Sequence, residues 1–185
     1  MTDQELLRAY ADGSDRESLG VFLTRYQDSL MRFVGRLLGD RDAAQDVVQE
    51  TFLEVARRPR RLLGVENCHN WLLRVARNLG VNRLRSEVRA RRHAEAWRDR
   101  AAGAVAERPG VSEALEADER KAAVRTAIEG LAPRHRELLL LKVQEEKSYK
   151  EIAQITGLTV TNVGYLLHHA MKELTARLNH AREGL

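Results

Sequence analysis

Residues 74–98 are the part of the chain best suited to bind a polyanion. They hold eight arginines and only two glutamates. Within them Arg74, Arg77 and Asn78 share one helical face, because steps of three and four residues stay on one side of a helix. Arginines on such a face can neutralise phosphates, and the Asn78 amide can hydrogen-bond a base edge. The pattern fits a nucleic-acid surface, and the alternative is a basic face that contacts only solvent.

A helix-turn-helix pattern begins at Ser148. Ser148 and Glu151 have the spacing of a capping box. Ala153 is small enough for two helices to approach, Gly157 permits a left-handed turn, and Val163 supplies an apolar side chain under the second helix. These features predict a DNA-binding helix-turn-helix, and the alternative is an ordinary helical hairpin.

The second helix of this pattern contains "TVTNVGYLLHHAM", residues 159–171, which has no Lys and no Arg in a chain with 31 basic residues. An apolar stripe is expected at Val163, Leu167, Ala170 and Leu174. The outward positions then hold groups that bind DNA without a fixed charge, together with one lysine: Thr161, Asn162, Tyr165, His168, His169 and Lys172. Asn can pair with adenine, and Tyr and neutral His can bond bases or phosphates. Gly164, inside a helix, predicts the close approach of another group.

The segment "DRDAAQDVVQETFLEVARR" predicts a helix with two different faces. Ala44, Val48, Phe52 and Val55 indicate a core-facing stripe. Asp46, Gln49 and Glu50 fall together on the outside. They form either a solvated polar face or a surface that docks a basic partner helix.

Other chemistry is poorly supported. Cys68 and His69 are adjacent in the sequence, which alone does not make a nucleophile and base, and the chain has no second cysteine for a zinc site. His168 and His169 diverge by about 100° on a helix, so they are poorly placed to share a metal. No Gly-rich phosphate loop or Ser–His–Asp set is evident. We predict no catalytic residues, no metal and no cofactor.

These residues must be positioned by helices. Three prolines in 185 residues, with runs of Leu, Ala, Arg and Glu, predict an all-α fold. Capping boxes are expected at Thr2–Glu5 and Ser14–Glu17. In the first half, further helices are expected to begin at Asp40 or Asp42 and near Trp71. In the second half, helices are expected over 113–130, from Pro133 to Val143, and at two places after Ser148. The Gly- and Pro-containing stretch "DRAAGAVAERPGVS" predicts a flexible linker. The domains are therefore predicted as 1–98, a linker at 99–112, and 113–185 with the helix-turn-helix.

The positive charge lies in the first domain. Residues 1–98 carry 18 basic and 14 acidic side chains, whereas residues 113–185 carry 11 of each. The single cysteine excludes an internal disulfide and fits a reducing compartment. No apolar run reaches membrane-spanning length, which predicts a cytoplasmic protein without membrane insertion.

The order of three motifs resembles the extracytoplasmic-function (ECF) sigma factors of the bacterial sigma-70 family. "DVVQETF" and "WLLRVARN" resemble their region 2, and "LAPRHRELLLL" with the following residues resembles the start of region 4. The resemblance implies a transcription initiation factor of the nucleoid, not an enzyme. Its partners would be the RNA polymerase core (β′ clamp helices and β subunit), promoter DNA and an anti-sigma factor.

The resemblance also implies roles for residues. Asp46, Gln49 and Glu50 would dock on the β′ clamp helices. The −10 element would be held by the helix that carries Trp71, Arg74, Arg77, Asn78 and Arg85, with Asn78 at a flipped-out base. The outward residues of the last helix would read the −35 element, although family members typically have basic residues there.

Two other functions stay open on sequence alone. One is a stand-alone helix-turn-helix regulator, which leaves the Asp46–Gln49–Glu50 face and Asn78 unexplained. The other is a sigma-like interaction protein, whose last helix contacts protein instead of DNA.

Overall fold

The computed structural model describes residues 1–98 and 116–183, and these ranges are helical without a β-strand. The helices are α1 (Asp3–Ala11), α2 (Glu17–Leu38), α3 (Arg41–Arg57), α4 (Cys68–Arg98), α5 (Glu116–Glu129), α6 (Pro133–Leu139), α7 (Tyr149–Thr156) and α8 (Val160–Glu183). A 3₁₀ turn covers Pro59–Arg61, and α6 continues into a π-helical turn over Leu140–Gln144. The predicted linker, residues 99–112, lies outside the described ranges.

Helix ends follow local side-chain chemistry. Thr2 and Ser148 both form the expected capping boxes, at the starts of α1 and α7. The Asp40 carboxylate accepts hydrogen bonds from two backbone N–H groups at the start of α3. Gly157 ends α7 with φ of 73°, the left-handed conformation that a tight turn between two helices requires.

The first four helices form one unit around an apolar centre. Its largest fully buried side chains include Phe22, Leu30 and Phe33 of α2, with Leu72 and Leu73 of α4. These positions recur at helical spacing, so each helix turns one stripe inward. The opposite face of α3 and part of the opposite face of α4 are left to solvent, and these faces carry the candidate docking and DNA-binding side chains.

The last four helices form a second unit. Its buried side chains include Leu131, Leu138–Leu141, Ile152, Ile155, Val163, Leu167 and Ala170. The stripe predicted on α8 is therefore correct, with Leu174 partly buried beside it. This packing places α7 and α8 as the two helices of the predicted helix-turn-helix.

The two units pack against each other. Helix α7 lies along the start of α4, and the π-helical turn lies against α2. The buried residues of both units belong to one continuous apolar cluster. Two domains separated by a linker are thus joined by a direct interface as well, which the sequence alone did not indicate.

Three details of the predicted helices were wrong. The Ser14–Glu17 capping box does not form, because the Ser14 hydroxyl donates to the Ala9 carbonyl while Asp15 accepts from the Glu17 N–H. Helix α4 begins at Cys68 instead of near Trp71.

The third concerns the helix predicted to run to Val143, whose regular α-helical part ends at Leu139. Beyond it the Glu145 N–H bonds the Leu140 carbonyl, which is the wider spacing of a π-helical turn.

No helix within residues 1–98 and 116–183 is both long enough and apolar enough to span a bilayer.

Candidate nucleic-acid interface

The predicted docking face on α3 is fully exposed. Asp46, Gln49 and Glu50 all lie at the surface, while Val47 and Val48 between them are buried. Arg83 of α4 reaches Asp46 across the surface, with 3.1 Å between Nη1 and Oδ2. Among the described residues, no side chain hydrogen-bonds the Glu50 carboxylate or the Gln49 amide, and both lie beside the exposed Asp46–Arg83 ion pair.

Helix α4 carries the residues predicted to hold melted DNA, and the structure gives them different environments. Arg74, Asn78 and Arg85 are exposed, Trp71 is half-buried, and Arg77 is largely buried. Trp71 and Arg74 line a cleft of about 230 Å³ whose other lining residues include Gln154 and Ile155 of α7. The predicted −10 surface is therefore partly walled by the second unit.

Arg77 is held by an ion pair between the units. Its Nε donates to Glu137 Oε1 at 2.7 Å, and the Glu137 side chain is 2% exposed. Arg134 also approaches Glu137, and Arg77 Nη1 donates to Asn78 Oδ1 at 2.8 Å. A buried carboxylate is costly unless it is paired and hydrogen-bonded, which explains why both arginines converge on it.

A second polar cluster between the units centres on His69. Ser29 Oγ donates to Glu145 Oε2 at 2.7 Å and lies 2.8 Å from His69 Nε2. Lys147 Nζ is 3.2 Å from His69 Nδ1. Because an ammonium only donates, we assign the imidazole proton to Nε2 and the acceptor role to Nδ1. The Tyr26 ring stacks on the imidazole with centroids 5.4 Å apart.

Glu145 is ionised by this cluster. Burial of Glu145 raises its pKa, but hydrogen bonds from His69, Ser29 and Gln144 more than offset that effect and lower the pKa to about 2. The charged form is thus strongly favoured in the packed arrangement. Glu145 comes from the end of the π-helical turn, whereas Ser29 and His69 belong to the first unit.

A third contact joins the start of α4 to the start of α7. Asn70 Nδ2 donates to Glu151 Oε1 at 3.0 Å, and Glu151 also completes the capping box with Ser148. The hydrogen bond from Asn70, followed by those from Ser148, lowers the pKa of Glu151 to about 2. One carboxylate thereby fixes both the helix-turn-helix start and the interface.

The outward face of α8 has the arrangement that its sequence predicts. Its six candidate −35 residues are all exposed at the surface: Thr161, Asn162, Tyr165, His168, His169 and Lys172. The Tyr165 and His169 rings lie 4.4 Å apart between centroids. This face offers aromatic, imidazole and amide groups, and its one ammonium, that of Lys172, lies about two helical turns from Tyr165.

Gly164 is approached by the Tyr149 ring of α7. A Cβ at this position would lie 3.5 Å from Tyr149 Cε2, which is ordinary van der Waals contact. The predicted neighbour exists, but it does not require a glycine. Lys142 Nζ lies 5.4 Å from the centroid of the same ring, so a basic group borders α8 from outside the helix.

Cys68 and His69 do not act together. Cys68 is buried against Gln4, and burial, followed by the nearby Asp3 carboxylate, raises the pKa of the thiol to about 11. His69 instead contacts Ser29 and Lys147. In the residues that the structure describes, no group of three His, Cys, Asp or Glu side chains is arranged to hold a metal ion.

Several interface residues were not predicted from sequence: Ser29, His69, Asn70, Glu137, Glu145 and Lys147. Their contacts join positions far apart in the chain, so no local spacing reveals them. One signal was available, since Glu137 directly precedes the four leucines of "RELLLL", all of which are buried. An acid in such a run predicts a buried partner of opposite charge.

Comparison with known proteins identifies the family. Residues 22–90 match "Sigma-70 region 2" and residues 121–174 match "Sigma-70, region 4". The ECF RNA polymerase sigma factor EcfG of Rhodopseudomonas palustris is 32% identical over 151 residues, with 81% of this chain and 79% of EcfG covered. The ECF sigma-E factor of Escherichia coli K12 is 29% identical, with 88% and 87% covered. The chain belongs to the ECF group of the sigma-70 family of RNA polymerase sigma factors.

Solved structures agree in fold. The sigma factor RpoE of Bartonella quintana, in complex with the anti-sigma factor NepR, has a TM-score of 0.65 and 22% identity, covering 88% of this chain and 98% of its own. CnrH, in complex with the cytosolic domain of CnrY, has a TM-score of 0.67 and 22% identity, covering 96% and 97%. As a sigma factor, the chain binds RNA polymerase and promoter DNA and directs transcription initiation.

Proposed function

We propose that the work of this sigma factor is divided between the predicted domains 1–98 and 113–185. The first holds the polymerase core and the melted −10 element, and the second reads the −35 element. The observation that carries the proposal is that the exposed polar face of α3 and the partly exposed polar face of α4 belong to one packed unit. A polymerase-docking surface and a strand-binding surface are then held at a fixed separation.

In this proposal Asp46, Gln49 and Glu50 contact the β′ clamp helices. The exposed carboxylates and amide suit a partner helix rich in Lys and Arg, since such pairs guide association. The neighbouring α4 face supplies a rim for a single strand. Arg74 and Arg85 bind phosphates, Trp71 stacks on a base, and Asn78 bonds a base edge.

The −35 element is read by an α8 face with little charge. Asn162 and Tyr165 provide the specific contacts, and His168, His169, Thr161 and Lys172 add to them. Because fewer phosphates are neutralised, binding depends weakly on salt. The strength of duplex binding separates the proposal from a stand-alone helix-turn-helix regulator. Such a regulator needs tight duplex binding by residues 113–185 alone.

We infer that a regulatory protein controls this chain. The Bartonella quintana RpoE and CnrH structures each hold such a partner, an anti-sigma factor in the first and the CnrY cytosolic domain in the second. The chain acts in the cytoplasm at the nucleoid, without catalytic residues, metal or cofactor of its own.

Mapping of transcription starts after overexpression in the source organism tests the division of labour. New starts should share one −10 and one −35 sequence. The Asn78→Ala variant should lose preference at −10, and the Asn162→Ala/Tyr165→Ala double variant should lose preference at −35. If both variants keep the wild-type start sites and strengths, the assigned faces are wrong. If the double variant alone is neutral, α8 contacts protein instead.

A further inference from the structure

We propose that the histidine pair, His168 and His169, acts as a proton-dependent cation on the −35 face of α8, so that binding to −35 DNA strengthens as the pH falls from 8 to 6. The inference rests on the proposed role of α8 and adds a regulation of that same site. It gives a helix without fixed positive charge before Lys172 a charge that the surrounding pH sets.

The two imidazoles lie on the face that would meet DNA. His168 and His169 follow Tyr165 by three and four residues, so the three side chains leave one side of α8. All three are exposed. The Tyr165 and His169 rings lie 4.4 Å apart between centroids, and the His168 and His169 rings lie 5.7 Å apart. These side chains therefore form one cluster at the surface.

This part of the helix has no other source of positive charge. From Val160 to Met171, α8 contains neither Lys nor Arg, and the histidine pair holds its only side chains that become cations by gaining a proton. Histidine is the residue whose charge ordinarily changes between pH 5 and 8. A face that makes mainly neutral contacts in mild alkali can therefore offer positive charge to phosphates in mild acid.

The charged groups of α6 and of α8 beyond the pair are mostly engaged with each other. Glu173 follows His169 by four residues, and its carboxylate is bound by His135 of α6 at 2.8 Å and by Arg177 at 3.1 Å. Arg134 of α6 approaches Glu137. Lys172 is exposed on the same side of α8 as the pair. No acidic group on these helices is thus left over to hold an imidazolium among the residues that the structure describes.

The other elements packed on α8 leave the pair uncovered. Tyr149 of α7 packs at Gly164, and Lys142 Nζ lies 5.4 Å from the centroid of its ring. Arg125 and Glu129 of α5 line a cleft beside α2. In the described part of the chain, no hydrogen bond or ion pair engages either imidazole, whose contacts are with rings. Both are therefore available to phosphates.

DNA favours the protonated rings. A phosphate beside an imidazole stabilises the cationic form, whereas the unbound face lies against solvent. Binding therefore takes up protons, and affinity rises as the pH falls through the range in which histidine ionises. Each factor of ten by which a phosphate favours the cation adds up to about tenfold in affinity.

The test measures binding of the complete sigma–polymerase complex to promoter DNA. The probe is a duplex that carries the −35 and −10 elements of a mapped promoter and a pH-insensitive rhodamine label, and anisotropy gives the affinity from pH 6 to pH 8. The ratio of wild-type affinity to that of His168→Gln/His169→Gln should rise about tenfold as the pH falls over this range. Glutamine can hydrogen-bond but cannot gain a proton. Titrating groups of the polymerase that do not contact the pair cancel in the ratio.

His135→Gln is the matched control. His135 lies on α6 and bonds Glu173, so its replacement should keep the wild-type pH dependence. His169→Arg carries a charge at every pH and should flatten that dependence. Circular dichroism of each variant confirms that the helices are retained.

Salt dependence gives a second readout that a merely structural role would not move. For wild type, the slope of log affinity against log salt should be steeper at pH 6 than at pH 8, by about one for each phosphate that an imidazolium contacts. The glutamine variant should give the same slope at both pH values.

The inference is overturned if the affinity ratio changes by less than about twofold between pH 8 and pH 6. It is also overturned if the same pH effect appears on a fragment that lacks the −35 element, because the imidazoles would then contact polymerase instead of DNA. Sensitivity to Asn162→Ala/Tyr165→Ala without this pH effect removes the inference and leaves the −35 role standing. If no promoter is mapped, or no −35 preference appears at any pH, both fail.

Discussion

Replacement of Glu145 by Gln should destabilise the protein strongly at neutral pH and much less in acid. The Glu145 side chain is 4% exposed, and its pKa is lowered from 4.5 to about 2 by hydrogen bonds that outweigh its burial. A shift of this size corresponds to about 3 kcal/mol of folding free energy at 1.36 kcal/mol per pKa unit. The substituted glutamine amide cannot ionise, so it resembles the protonated acid.

The pH window follows from the sign of the shift. A carboxyl group with a lowered pKa in the folded state adds its full stability above pH 4.5. That stability is lost as the pH falls toward 2. The difference in unfolding free energy between wild type and Glu145→Gln should therefore shrink from about 3 kcal/mol at pH 7 to about 1 kcal/mol at pH 3.

Urea denaturation at both pH values, followed by far-UV circular dichroism, gives this difference directly. Titrating groups that do not contact Glu145 contribute equally to both proteins and cancel. Glu54→Gln, which removes a surface pair, should cost less than about 1 kcal/mol at pH 7. The reasoning is refuted if the Glu145→Gln difference is the same at pH 7 and pH 3, because ionisation of Glu145 would then play no part in stability.

Three further predictions concern binding and folding. Glu50→Lys should weaken binding to an isolated β′ clamp-helix fragment at least tenfold, measured by titration calorimetry, without changing the thermal midpoint; an unchanged affinity would remove Glu50 from the docking face. Phe22→Ala should lower the free energy of unfolding by about 3–5 kcal/mol, because a fully buried ring leaves a cavity. A loss below about 1 kcal/mol in urea would contradict that packing. Gly157→Ala should lower the free energy of unfolding by about 1 kcal/mol, and with it the thermal midpoint, because residue 157 has a left-handed φ of 73°. Gly164→Ala should be tolerated, because a Cβ there makes only ordinary contact with Tyr149. Equal melting curves for these two variants would refute the distinction.

Much of the fold follows from local patterns. The two faces of α3 are set by a 3.6-residue period, so the exposure of Asp46, Gln49 and Glu50 was predictable. The capping box at Ser148 and the left-handed turn at Gly157 are equally local. The family follows from the order of motifs in regions 2 and 4. These signals need no knowledge of tertiary contacts.

Other features depend on packing over long distances. The start of α4 was placed three residues late, because Asn67 accepts the Asn70 N–H in a short cap that the S/T-x-x-E pattern does not cover. Arg77 was expected beside Arg74 on an open face, yet Glu137, sixty residues further on, draws it inward. No periodicity in either helix carries that information, since the partner lies on another unit.

Reconstituted transcription tests the central claim most directly. Purified chain is added to core polymerase from the source organism, with DNA fragments that carry the mapped starts, and run-off products are measured. The account predicts discrete transcripts that require the chain and are greatly reduced by Glu50→Lys or Asn78→Ala. Transcription that is the same with and without the chain, on every mapped fragment, would contradict it.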